Sequence, residues 1–175
     1  MTENINNETK GFFTELIELL KLIVIFSIRK LNFQHCLYFT AFLTFGLGDG
    51  ITSAYMMEKV GASAELNPLM SYVFMQQGIG GMVAAKVWLT LSLLFAVYIV
   101  SLKSNGHAFW TVNGFLIALC AGGVLAINAN LNMLNGLIYE APQEIIAIFI
   151  VLTLLLTEAG SYIDRYHSQN QIKNC

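Results

Sequence analysis

Charge is what this chain has least of. Of its 175 residues, 11% are Asp, Glu, Lys or Arg, against about a quarter in an ordinary soluble domain. Hydrophobic residues make up 56%, and the mean hydropathy is +0.63. A soluble domain with so little charge would expose large apolar patches and aggregate, so the composition points to lipid as the solvent. Lys and Arg form no basic patch, which sets nucleic acid aside as a partner class. Cysteine is scarce too. Cys36, Cys120 and Cys175 stand far apart with no CxxC pair, suggesting neither a disulfide framework nor a zinc site. The N-terminal MTENINNETKG lacks a basic n-region, and no cleaved signal peptide is expected.

What the chain does have is long apolar runs. A helix needs about 20 mostly apolar residues to cross a hydrocarbon core. Four stretches qualify: about Phe33 to Met57, Gly78 to Leu102, Ala108 to Leu131 and Ile145 to Tyr162. The expected fold is all-α, an integral membrane bundle of four transmembrane helices over residues 33–162, followed by a polar cytoplasmic tail, 163–175. Residues 1–32 read as a polar N-terminus and an amphipathic interfacial helix. In that helix Glu15, Glu18, Lys21 and Arg29 share one side, away from most of Phe12, Phe13, Leu16, Ile17, Leu20 and Ile23. A fifth span there is the alternative.

Orientation follows from the basic residues. Lys10, Lys21, Arg29, Lys30, Lys103, Arg165 and Lys173 fall on one side, and only Lys59 on the other. Both termini are therefore expected in the cytoplasm of a multi-pass cell-membrane protein. In the first external connection, Asn67 before Pro68 reads as an N-cap with proline at the first helical position, opening a short amphipathic helix, LMSYVFMQQ.

Ionisable residues inside spans are costly and usually face the bundle interior or a cavity. Asp49 lies about 13 Å from the outer end of the first span and Lys86 about 12 Å from the outer end of the second, at 1.5 Å per residue. An antiparallel hairpin brings them to one depth as an ion pair, which lowers the cost of each. Thr52 and Ser53 add hydroxyls beside Asp49, and Glu65 and Asn67 close over it from the loop. On the third span Asn113, Asn128 and Asn135 fall within about 60° of one another, with Asn132 near them and Asn130 opposite, at 100° per residue. The expected outward-facing pocket is thus Asp49, Thr52, Ser53, Glu65, Asn67, Lys86, Asn128 and Asn132. Gly46, Gly50 and Ala54 form a small-xxx-small row suited to close helix contact, and a homo-oligomer would be expected to use it. The competing reading is that the polar groups only fix which helices pack, at about 0.6 kcal/mol per interhelical bond.

The order Asp49-x-x-Thr52-Ser53, Gly61, Glu65-Leu66-Asn67-Pro68, Lys86 resembles an uncharacterised domain-of-unknown-function family of small, mainly archaeal, polytopic membrane proteins. Its pattern is Asp-x-x-Thr, then Glu-x-Asn-Pro, then an intramembrane Lys. The resemblance implies that Asp49, Thr52, Glu65, Asn67, Pro68 and Lys86 belong together, and implies no activity.

Other motifs are weaker. Gly46-Leu47-Gly48-Asp49 matches the GxGD string of intramembrane aspartyl proteases, but that chemistry needs a second carboxylate at the same site. The other aspartate, Asp164, falls at the opposite membrane face. The glycines are no phosphate loop, since neither a strand nor a Lys-Ser/Thr pair flanks them. His35, His107 and His167 are scattered singly, so no metal site is assigned and the cofactor is open. A lysine paired with Asp49 stays protonated, which argues against a Ser53–Lys86 catalytic couple. The cluster Met56, Met57, Met70, Met75 and Met82 reads as adaptable packing.

Three functions compete, and whether the chain is an enzyme stays open. The leading one is a binding module whose pocket takes a small polar solute, an ion or a lipid head group, or docks in a membrane complex. The second is an intramembrane enzyme acting on a lipid or lipid-linked substrate, with Glu65 as acid/base and Lys86 holding phosphate. The third is proton or ion translocation through Asp49 and Lys86.

Overall fold

The computed structural model describes residues 32–65, 67–137 and 142–173, and every regular element among them is helical. The expected amphipathic helix before residue 32 lies outside the described residues. The chain divides into two units, Met1–Cys36 and Leu37–Cys175. In the first, Asn32 caps a helix start: its Oδ1 accepts from the His35 backbone N–H at 3.2 Å, and its own N–H is directed at His35 Nδ1 at 3.4 Å. This reciprocal pairing is a capping box with histidine in the third position.

The helical run that follows has three parts: α1 (Phe33–Ala41), a π-helical segment (Phe42–Gly48) and α2 (Asp49–Val60). It ends at Gly61, whose φ of 114° favours glycine. A 3-10 turn, Ala62–Ala64, leads to α3 (Pro68–Lys103), capped as the sequence suggests: Asn67 Oδ1 accepts from the Leu69 N–H at 3.1 Å. Ser71 Oγ ties the loop down through the Ala62 carbonyl at 2.8 Å. At Gly78 (φ 67°, ψ −159°) the backbone leaves helical geometry, dividing α3 into residues 68–77 and 79–103. The last two helices are α4 (Phe109–Leu134) and α5 (Pro142–Lys173).

Three of these helices are long and apolar enough to cross a membrane: α3, α4, and α5 over Gln143–Asn170. Their burial differs sharply. The most apolar window of α4 is 44% buried, that of α3 11% and that of α5 6%. Thus α4 is the central post, and the outer faces of α3 and α5 carry exposed Trp88, Phe95, Leu154 and Leu155. Water would not tolerate this surface; the chain is a multi-pass, membrane-embedded helical protein.

Small residues allow α4 its central place. A Cβ on Gly123 would stand 2.6 Å from the Phe45 backbone nitrogen, so the π segment lies directly on it. Gly114 and Gly160 bring α4 and α5 together in the same manner, each against the other helix's backbone. One core cluster joins Ala41, Leu94, Val112, Leu116 and Leu119, while a second joins Ala54 to Met56, Met57, Met70 and Met82. Four of the five clustered methionines are therefore packing residues, and Met75 is 64% exposed.

One expectation needs correction. Gly46, Gly50 and Ala54 do form a close-approach row, but it is buried within the chain. Gly46 faces Thr90, and Gly50 faces Val83 and Lys86 of α3. A second copy would have to use another face. The polar residues from 163 onward belong to α5, which stays helical to Lys173. Arg165 pairs with Glu158 at 3.1 Å, and Ser168 Oγ donates to the Asp164 carbonyl, so the polar residues continue the helix.

Candidate functional site

The π segment ends directly at Asp49, and such insertions frequently mark functional positions in helices. From there α2 presents Asp49, Thr52 and Ser53 toward α3 and α4. Lys86 Nζ donates to Asp49 Oδ2 and to Ser53 Oγ, both at 2.7 Å. Ser53, 1% exposed, donates to Asp49 Oδ1 at 3.0 Å. From α4, Asn130 Nδ2 reaches Asp49 Oδ1 at 3.1 Å, Thr52 Oγ1 at 3.1 Å and Ser53 Oγ at 3.0 Å. Thr52 Oγ1 in turn donates to the Gly48 carbonyl at 2.8 Å.

A valence count shows how closed this network is. A hydroxyl has one donor and two acceptor sites. Ser53 gives to Asp49 and receives from Lys86, and its remaining acceptor site faces Asn130, whose two N–H donors are shared among Asp49, Thr52 and Ser53. An ammonium has three N–H donors, and Lys86 spends two. Glu65 stands above: its Oε1 accepts from the Asn67 N–H at 3.1 Å, and its Oε2 lies 3.7 Å from Lys86 Nζ. That separation exceeds hydrogen-bond length. Among the described residues, one lysine N–H and Glu65 Oε2 thus make no hydrogen bond and face each other only as a longer ion pair.

Both border a cleft of about 350 Å³ lined by Phe45, Asp49, Glu65, Asn67, Met70, Lys86, Leu89, Thr90, Leu93 and Ile146. Its lining is graded. Lys86, Leu89, Thr90 and Leu93 recur at helical spacing along one face of α3, so the wall changes from charged to mainly apolar with distance from the loop. Leu89 and Ile146 are 53% and 49% exposed, which leaves the apolar part open to the bundle's outer surface.

Asp49, Thr52, Ser53, Glu65, Asn67 and Lys86 are thus brought together, and two expected members are not. Asn128 is exposed and Asn132 half-buried, and neither side chain joins the network. Asn130 takes the place expected for them. The wheel aligned the asparagines with one another, whereas α4 meets the first helical run along Gly123, Ile127 and Asn130, a row at i, i+4 and i+7. The signal was the glycine: it marks the contacting face, and Asn130 is two turns further along that face. Asn113 lies far down α4, 1% exposed, with both amide atoms unpartnered.

A family model described as a domain of unknown function (DUF5658) matches residues 40–136. The chain belongs to this family. The DUF5658 region takes in the π segment, α2, the Glu65 loop, α3 and α4, and so contains every member of the polar network. Helix α5, which supplies Ile146 to the cleft, lies beyond it. No curated protein and no solved structure matches the chain.

Sequence reasoning also missed a second polar centre in this DUF5658 protein. Asp164 of α5, 8% exposed, accepts from the Trp110 N–H at 3.0 Å, the Thr111 N–H at 2.9 Å and the Thr111 hydroxyl at 2.8 Å. The residue preceding α4, Ala108, has no side chain able to cap, so the cap comes from the neighbouring helix. A carboxylate at a helix N-terminus also meets the positive end of its dipole. His107 and His167 border the adjoining cleft of about 370 Å³. At the other end of α4, Lys59 Nζ donates to the Leu134 carbonyl at 2.6 Å, a counterpart for the negative helix end.

Proposed function

We propose that the chain crosses the cell membrane four times and holds a membrane lipid in the graded cleft, with the head group at Lys86 and Glu65 and a chain along Leu89, Leu93 and Phe45. The helical run from 33 to 60 is the additional span: at 1.5 Å per residue it extends about 40 Å, enough for a hydrocarbon core of about 30 Å. Lys103 and Arg165 against Lys59 put both termini in the cytoplasm. The charged end of the cleft, beside the Glu65 loop, then opens in the extracytoplasmic leaflet.

The observation that carries this reading is the lining's change of character along one helix face combined with the exposure of its apolar end at the bundle's outer surface. A site for a small polar solute would be polar throughout, whereas Leu89 and Ile146 leave the apolar end of this cleft open at the bundle's outer surface. A volume near 350 Å³ takes a head group and the upper part of one chain, leaving the remainder in the bilayer. Catalysis is less well supported, because the Ser53 hydroxyl proton is directed at Asp49 and Lys86 donates to its oxygen.

Leu93→Trp tests the proposal, since it fills the apolar end without touching the ionic network. Wild-type chain purified in mild detergent is expected to retain about one phospholipid per chain, measured as phosphorus per protein after extraction, and Leu93→Trp to retain almost none. Equal retention by the two would refute lipid binding in this cleft.

A further inference from the structure

The leftover valences of the network specify a head group. Resting on the lipid reading above, we infer that the cleft selects a zwitterionic phospholipid whose head carries a primary amine. Lys86 has one N–H beyond those given to Asp49 and Ser53, and a phosphate oxygen accepts it. Glu65 Oε2 stands 3.7 Å from the same ammonium without a hydrogen bond, and a ligand amine donates to it. The two groups present a cation and an anion side by side, and a phosphoethanolamine head presents the opposite pair on a short linker.

The alternatives fit worse for stated reasons. Two carboxylates, Asp49 and Glu65, face one ammonium, Lys86, leaving one formal negative charge in excess. An anionic head group without an amine would meet that excess and offer no hydrogen-bond donor to Glu65 Oε2. A quaternary amine has no N–H for Glu65 to accept. It is usually held by aromatic faces instead, and Phe45 is the single aromatic residue among the described lining. Glu65 is suited to discriminate because it is pinned. Its Oε1 is fixed by the Asn67 N–H, and the loop bearing it is anchored by Ser71 to the Ala62 carbonyl. The amine would bind across a fixed gap and would not need to order a free side chain.

The experiment uses the full chain in vesicles of equal parts phosphatidylethanolamine, phosphatidylcholine and phosphatidylglycerol, with bound lipid identified by native mass spectrometry. One charge-assisted hydrogen bond corresponds to about a ten-fold preference or more. Wild type is expected to carry phosphatidylethanolamine over either competitor by about that factor. Glu65→Gln is expected to lose the preference among the lipids it still binds, since it removes the charge that meets the amine while the Asp49–Lys86 bond and the apolar wall stay in place. Lipid retained without head-group preference, a preference for phosphatidylglycerol, or a preference unchanged in Glu65→Gln would each overturn this inference and leave lipid binding standing. Absence of bound lipid in the wild type would overturn both.

Discussion

Lys86→Met isolates the energetic weight of the intramembrane ion pair. Methionine keeps an unbranched apolar stem and deletes the ammonium. Asp49 Oδ2 then loses its partner at 2.7 Å, and Ser53 Oγ loses a donor at the same distance. Breaking a buried pair costs about 3–5 kcal/mol, because the remaining charge is uncompensated. Here Ser53 and Asn130 still serve Asp49 Oδ1, and the pair borders an open cleft with side chains 14% and 15% exposed. The lower end, about 3 kcal/mol, is therefore expected. Asp49→Asn leaves Lys86 with Ser53, and Glu65 near enough to approach, so about 2 kcal/mol is expected. The double variant carries neither charge and should lose about 3 kcal/mol, far less than the sum of the two, a coupling of about 2 kcal/mol. Reversible unfolding of all four proteins in bicelles, followed by circular dichroism, measures the cycle. If the single effects add to within about 0.5 kcal/mol, the two residues act independently and the closed network is not what holds these helices.

Further expectations follow from individual contacts. Gly123→Val places methyl groups against the Phe45 backbone, which has no side-chain freedom with which to yield. It should cost about 3 kcal/mol, read as a lowered melting temperature, whereas Gly80→Ala, open at its Cβ, should melt as wild type. Asp164→Ala removes the cap of α4 and should cost about 1–2 kcal/mol, with amide exchange at Trp110 and Thr111 accelerated about ten-fold. Unchanged exchange there would show that α4 does not depend on α5 for its cap. Gly78→Ala forces a side chain into a glycine conformation and should cost about 1–3 kcal/mol; an undiminished melting temperature would argue that α3 runs straight through residue 78.

Reading the chain alone placed Asp49 and Lys86 at one depth, because counting residues along two consecutive helices needs only the helical rise. The Asn67–Pro68 cap was legible for a similar reason: its chemistry is local. What failed was azimuth. Seven residues of π-helix precede Asp49, and each turn of that winding shifts every later side chain relative to an α-helical wheel, a change the pattern FLTFGLG does not announce. On α4 the asparagine wheel favoured Asn128 and Asn132, while the contact made by Gly123 brought in Asn130. The row Gly46, Gly50 and Ala54 was recognised as an interface, but its spacing says only that something packs closely there, and the occupant is α3. Asp164 was invisible as a cap because its partners lie more than fifty residues earlier in the chain.

The cap that α5 lends to α4 constrains how the protein is made. Trp110 and Thr111 precede Asp164 by more than fifty residues, so their amides leave the ribosome before the carboxylate that serves them in the finished bundle. Unpaired amides are costly in hydrocarbon. The N-terminus of α4 therefore completes its hydrogen bonding only when α5 lies alongside, and the two helices depend on each other for a finished end.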